Sequence, residues 1–226
     1  MLLNRTTYYT NTGNQNIIQS LIKTDVKILD IGCGAGDLGK RIRDKFSLAN
    51  VTGITCSAAE QIQALEKIDQ CFCLDIERDD LFVLQGQQFD AIIFSHVLEH
   101  LVDPVAAIKR LLPFLKSGGK VLIALPNIAN WRQRWQLALG RFEYADSGVM
   151  DRTHLHFYTF ETAPKYLIEP ISQLQLRDHK VTGSVPLAML RHYLLTTKFR
   201  KKIDALGCRW LPNLFGGEIL IEATHL

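Results

Sequence analysis

A chain of 226 residues, 47% of them hydrophobic and 22% charged, is long enough to bury a core as one domain and too apolar to be disordered. A net charge of +3 excludes the dense basic field of a nucleic-acid binder, and no apolar run reaches the ~20 residues of a membrane span. The opening stretch MLLNRTTYYTNTGNQ is polar and has no apolar h-region. The five cysteines (Cys33, Cys56, Cys71, Cys73, Cys208) read as reduced core thiols, so a cytoplasmic protein is expected.

Residues 14–23 carry a helical apolar period, and VKILDI at 26–31 is a strand running into glycines. A helix over 37–46, a strand over 51–55, a helix over 58–68 and a short strand over 71–74 follow. The segment FDAIIFS at 89–95 is apolar almost throughout, as a strand buried on both faces should be. Residues 103–115 form a helix with Asp103 as cap and Pro104 in its first turn; KSGG is a turn, and 120–125 a fifth strand. This alternation predicts a doubly wound α/β sheet of seven strands, mostly parallel with one antiparallel strand, whose ligands bind beyond the carboxyl ends of the strands. After Leu125 the rhythm breaks. A helix at 161–174, a strand near 176–182, a helical stretch at 186–206 and a last strand at GEILIEATH complete the chain. Within this one domain, 126–160 and 186–215 read as additions that shape a substrate pocket.

The stretch DIGCGAGDLG at 30–39 parses as GxGxG or as GxGxxG. A dinucleotide site wants an acid about 20 residues on, at the end of the second strand, where this chain has the uncharged Thr55. The segments ILDIGCGAG, VTGITCSAAEQ, CLDIE and FDAIIFSHVLEHLVDP, with the helix and LKSGGKVLI beyond, resemble a class I S-adenosylmethionine-dependent methyltransferase. The resemblance spans residues 26–127 and implies a Rossmann-like fold with S-adenosylmethionine as methyl donor. It places Asp30, Gly32, Gly34 and Gly36 around the methionine end of the cofactor. It puts Thr55, with Glu60 or Gln61, at the ribose, Asp75 at the adenine amino group with Ile76 against the ring, and Ser95 and His96 beside the methionine moiety.

GRFEYADSGVMDRTHLHFYTF, at 140–160, resembles the GxFxYxxxGxxDxTHxRFFT signature of a bacterial methyltransferase subgroup, many of whose members lie among genes for polysaccharide or secondary-metabolite assembly; it departs at His156, where Arg is commoner. Asp151 and His154 are candidates for catalysis, His154 as general base oriented by Asp151; the same residues could instead pin the segment to the sheet. Asn127, Trp131, Tyr144, Arg152 and His156 are candidate substrate contacts. No metal is expected: His154, His156 and Asp151 could ligate one, but alternate residues on a strand point to opposite faces. The stretch after the fourth strand reads SHVLEH, not the Pro-Pro-aromatic signature of nucleic-acid amine methylation. A small-molecule acceptor is therefore expected, anionic or carrier-bound. A hydroxyl is favoured because a base is at hand, and the alternatives are a small amine or a cofactor-binding partner subunit without activity.

Overall fold

Strand β1 (Lys27–Ile31) pairs in parallel with β2 (Asn50–Thr55) on one side and β4 (Phe89–Ser95) on the other, the arrangement that opens a ligand crevice at its carboxyl end. The computed structural model describes residues 12–22, 26–186 and 196–226. With β3 (Gln70–Cys73), β5 (Leu115–Pro126), β6 (Leu174–Gly183) and β7 (Gly216–His225) the sheet has seven strands in the order β3-β2-β1-β4-β5-β7-β6. Strand β7 runs antiparallel to both neighbours, and the remaining strands share one direction. The expected mixed α/β sheet with one antiparallel strand is the observed one.

Side-chain alternation along the strands divides the core in two. Ile28, Val51, Ala91 and Ile93 face α1 (Thr12–Ser20) and α2 (Asp37–Lys45) through Ile17, Ile18, Leu38 and Ile42. Leu29, Ile31, Ile92 and Phe94 face the other way, onto Ile108 and Leu111 of α4 (Pro104–Leu111) and Leu167 of α6 (Thr162–Leu167). Each such buried Ile, Leu or Phe contributes about 1.5–3 kcal/mol. Helix α3 (Ala58–Leu65) starts at Ser57, whose hydroxyl accepts from the Glu60 N–H, and α4 at Asp103, which accepts from Ala106 N–H with Pro104 in the first turn.

Four elements differ from the sequence reading. The KSGG turn is a bulge within β5, where the register jumps from Phe89–Leu115 to Ala91–Lys120. The helix expected over 161–174 stops at Leu167, because Pro170 disfavours helical backbone at Glu169. An unexpected helix α5 (Trp131–Ala138) starts at Asn130, whose side chain accepts from Arg132 and Gln133 N–H; it buries no residue and so shows no apolar period. Of the helical stretch expected at 186–206, residues 187–195 lie outside the described residues; α7 (Thr197–Trp210) and a short α8 (Pro212–Phe215) follow. Cys33 and Cys71 are buried with sulphurs 3.6 Å apart, whereas Cys56 is exposed, not a core thiol.

Candidate active site

The glycines sit where β1 turns into α2. Gly32, Gly34 and Gly36 all have positive φ, at 68°, 52° and 80°, a conformation that side-chain-bearing residues resist. Their reasons differ. A Cβ on Gly32 would lie 2.4 Å from Val97 Cγ2, and one on Gly36 3.0 Å from Ala64 Cα, while one on Gly34 would meet nothing within 4 Å. Gly39 serves packing, since its Cβ would strike Ile68. The loop is therefore built on GxGxG, with open space over its middle glycine.

Asp30 stands in β1, two residues before that loop. It is 1% exposed, and its Oδ2 accepts no hydrogen bond. Burial pushes its carboxyl up to about 7. A buried carboxylate oxygen without a partner fits a ligand that brings a cation or an N–H donor. The ammonium of an S-adenosylmethionine methionine moiety has that chemistry, and the open side of Gly34 leaves room for it.

Beyond β2, Thr55 is buried and donates to Glu60 Oε2 at 2.7 Å, while its hydroxyl accepts from Ser57 N–H. The Gln61 amide donates to the Cys71 carbonyl at 2.8 Å, which commits it to β3 and leaves Glu60 as the acid at this strand end. Beyond β3, Asp75 Oδ1 accepts from Glu77 N–H, and Oδ2 lies 3.7 Å from the exposed Arg78. Arg110 donates to the carbonyls of Ile76 and Asp79 and braces this turn. Ile76 itself is 5% exposed and packed in the core, so most of its side chain is not presented to a ring.

Ser95 ends β4 half-buried, and His96 follows with φ 56°, the one non-glycine residue with positive φ among those described. That twist aims the imidazole between two carboxylates: Nε2 lies 2.9 Å from Glu218 Oε1, and Nδ1 3.4 Å from Glu99 Oε1. Burial pulls the His96 pKa down, but Glu218 and Glu99 outweigh it and push the group up to about 10. His96 is thus an imidazolium tying β4 to β7, a role its expected place beside the methionine moiety does not describe.

Glu99 is fully buried, and neither of its oxygens accepts a hydrogen bond. His154 Nε2 lies 3.9 Å from Glu99 Oε1, and the His100 and His154 rings meet edge to face at 4.6 Å. The expected pairing of Asp151 with His154 is not formed. Asp151 Oδ1 accepts from the N–H and hydroxyl of Thr153, and His154 Nδ1 sits 3.0 Å from the Val149 carbonyl. Burial holds His154 below the usual imidazole range, so the ring is neutral. Because a carbonyl only accepts, Nδ1 carries the proton and Nε2 the lone pair.

A cleft of about 640 Å³ opens over the segment 130–150. Trp131 and Tyr144 line it, together with Arg132, Arg141, Glu143 and Met150. Asn127 does not: it is fully buried, donates to the Gly216 carbonyl at 2.8 Å and accepts from Ala129 N–H. Arg152 pairs with Asp146 at 2.6 Å, and His156 lies 3.3 Å from the Val102 carbonyl, both away from the cleft wall. Arg132 and Arg141, which the sequence reading sets with Arg134 and the basic run at 198–202 against either an anionic small molecule or a plain surface, stand on the cleft wall.

The model of the family described as methionine biosynthesis protein MetW matches residues 13–215. A ubiquinone biosynthesis O-methyltransferase of Idiomarina loihiensis is 30% identical over 182 residues, covering 76% of this chain and 70% of that protein. One of Klebsiella pneumoniae is 27% identical over 161 residues, covering 70% and 64%. Among solved structures, the plantazolicin methyltransferase BpumL in complex with SAH superimposes with a TM-score of 0.57 at 20% identity, covering 94% of this chain and 81% of that one. A SAM-dependent methyltransferase from Archaeoglobus fulgidus reaches 0.59 at 18% identity, covering 93% and 94%. At those identities the superpositions establish the class I methyltransferase fold.

Proposed function

We propose that this chain, which belongs to the MetW family, transfers a methyl group from S-adenosylmethionine to a hydroxyl oxygen of a small, anionic acceptor. One observation carries the reading: Asp30, two residues before a glycine loop whose middle Gly34 faces open space, has a buried carboxylate oxygen without a hydrogen bond. When bound, S-adenosylmethionine supplies a methyl group on a sulfonium, which passes to the acceptor oxygen with loss of the hydroxyl proton and release of S-adenosylhomocysteine.

The chain's part is positioning and charge management, and positioning alone is worth roughly 7–11 kcal/mol of such a barrier. Asp30 takes the ammonium, and the N-terminus of α2 receives the carboxylate. Glu60, held by Thr55, takes the ribose hydroxyls; Asp75 Oδ2 takes the adenine amino group. The 126–160 segment forms the acceptor's wall, with Trp131 and Tyr144 as apolar contacts and Arg132 and Arg141 as counter-charges. The side chain of His154 is 1% exposed. It therefore does not meet the acceptor as a lone base on Asp151; it stands behind Glu99 and His100, and that cluster as a unit serves the acceptor proton. The relatives' printed name, an O-methyltransferase, favours oxygen over an amine.

Calorimetric titration with S-adenosylhomocysteine tests the reading. The chain binds it, and Gly34→Val loses at least tenfold in affinity. Gly86→Val is the control, because Gly86 also has positive φ and open surroundings. It carries a similar backbone strain without touching the loop, and it retains binding. No binding by the unaltered chain at millimolar ligand, or equal losses in both variants, overturns the reading. Binding with no turnover on any hydroxyl or amine acceptor leaves a partner-subunit role in its place.

A further inference from the structure

We propose that Glu99, His100 and His154 bind a first-row divalent transition-metal ion of the zinc, manganese(II) or iron(II) kind. One donor atom from each residue lies within 4.8 Å of the others. Ligands around a tetrahedral ion with 2.0–2.1 Å bonds stand about 3.3 Å apart, so small side-chain rotations close the set.

Three features make this a prepared site. Glu99 is 0% exposed and neither of its oxygens accepts a hydrogen bond; its one neighbouring cation, His96 at 3.4 Å, is shared with Glu218 and leaves room for a further cationic ligand. Both imidazoles present their Nδ1 to a backbone carbonyl, His154 to Val149 at 3.0 Å and His100 to Thr153 at 3.2 Å. In each ring that fixes the proton on Nδ1 and leaves Nε2 with its lone pair, the tautomer a metal ligand needs. His154 Nε2 has no hydrogen-bond partner and faces Glu99. The Thr153 hydroxyl, which donates to Asp151 at 2.6 Å, also lies 3.1 Å from His100 Nδ1, so Asp151 steadies His100 through Thr153. This gives Asp151 a positioning role on a ring other than the expected one.

Two imidazoles and one carboxylate suit zinc, manganese or iron; Mg²⁺ and Ca²⁺ prefer oxygen ligands alone. The site adjoins the crevice, because Val97, between His96 and Glu99, is the residue a Cβ on Gly32 would strike. Three protein ligands leave an open position. A hydroxyl coordinated there gives up its proton far more readily than a free one. That last step rests on the methyl-transfer reading, whereas ion binding does not.

The test uses the full chain, stripped of metal by chelator and titrated with Co²⁺ while its visible absorption is followed. One equivalent binds with a ligand-field band. Glu99→Gln and His100→Asn each weaken binding by at least about 100-fold. His225→Asn does not, since His225 lies at the far end of β7, against the Leu115 and Lys116 carbonyls. Titration of each variant with S-adenosylhomocysteine reports whether the glycine loop is intact. If Glu99→Gln fails to fold, the half-buried His100 carries the decision. No uptake by the unaltered chain, or an affinity in both ligand variants equal to that of the unaltered chain, overturns the site. Co²⁺ uptake without S-adenosylhomocysteine binding counts against the methyltransferase reading instead.

Discussion

His96 Nε2 lies 2.9 Å from Glu218 Oε1, and this contact joins the tip of β4 to the start of β7 across the intervening β5. Both side chains are largely buried, 17% and 13% exposed. Removing one partner of a buried pair costs about 3–5 kcal/mol, and Glu99, 3.4 Å from His96, keeps the cost here at the lower end of that range. Glu218→Gln is expected to lower unfolding free energy in urea by an amount of that order. A loss below about 1 kcal/mol would show that the pair does not hold the strands together.

Asp30 makes the free chain less stable as pH rises. Its carboxyl is raised from 3.8 to about 7 by burial. Between those values the folded chain keeps a proton that the unfolded chain has released. The stability held below about pH 4 is therefore lost as pH rises through 7, with a slope of at most about 1.4 kcal/mol per pH unit. Asp30→Asn removes this slope. Urea denaturation from pH 4.5 to 8 should show the variant gaining on the unaltered chain at the alkaline end, while its affinity for S-adenosylhomocysteine falls. A parallel pH dependence in the two proteins would mean that Asp30 is already charged and paired.

What was legible in the sequence follows the physics of each segment. Strands β1, β2 and β4 and the 120–125 half of β5 were legible because burial on both faces leaves an apolar run, and the glycine loop because positive φ selects glycine. Helix α5 was not, since none of its residues is buried and it shows no apolar period. The cleft contacts Trp131 and Tyr144 were named, yet Asn127 was read as facing the pocket when its amide faces the backbone; residue type does not carry side-chain direction. The Glu99–His100–His154 cluster joins residues more than 50 positions apart, a proximity that only the packing of 149–154 against the segment after β4 creates.

Asn127 is a tie between elements, and its loss should read as instability. Its side chain donates to Gly216 and accepts from Ala129, fully buried. Unsatisfying each buried partner costs about 1–3 kcal/mol. Asn127→Ala is expected to lower the melting temperature clearly while the KM for the acceptor stays within about twofold. A raised KM with unchanged stability would return Asn127 to the substrate wall.

The cleft cations predict the charge of the acceptor. Arg132 and Arg141 line it against the lone acid Glu143 among its lining residues, so an anionic group gains where a neutral one does not. Arg141→Ala should raise the KM for an anionic acceptor at least tenfold with a smaller change in kcat, because this contact is made in the ground state and the transition state alike. For the unaltered enzyme the KM should rise between 50 and 500 mM salt, as screening shortens the reach of these charges, and the variant should show a flatter response. Glu143→Gln shifts the balance further toward positive and should lower the same KM. If Arg141→Ala and added salt both leave KM unchanged, the acceptor is neutral at this wall and the two arginines are surface charges.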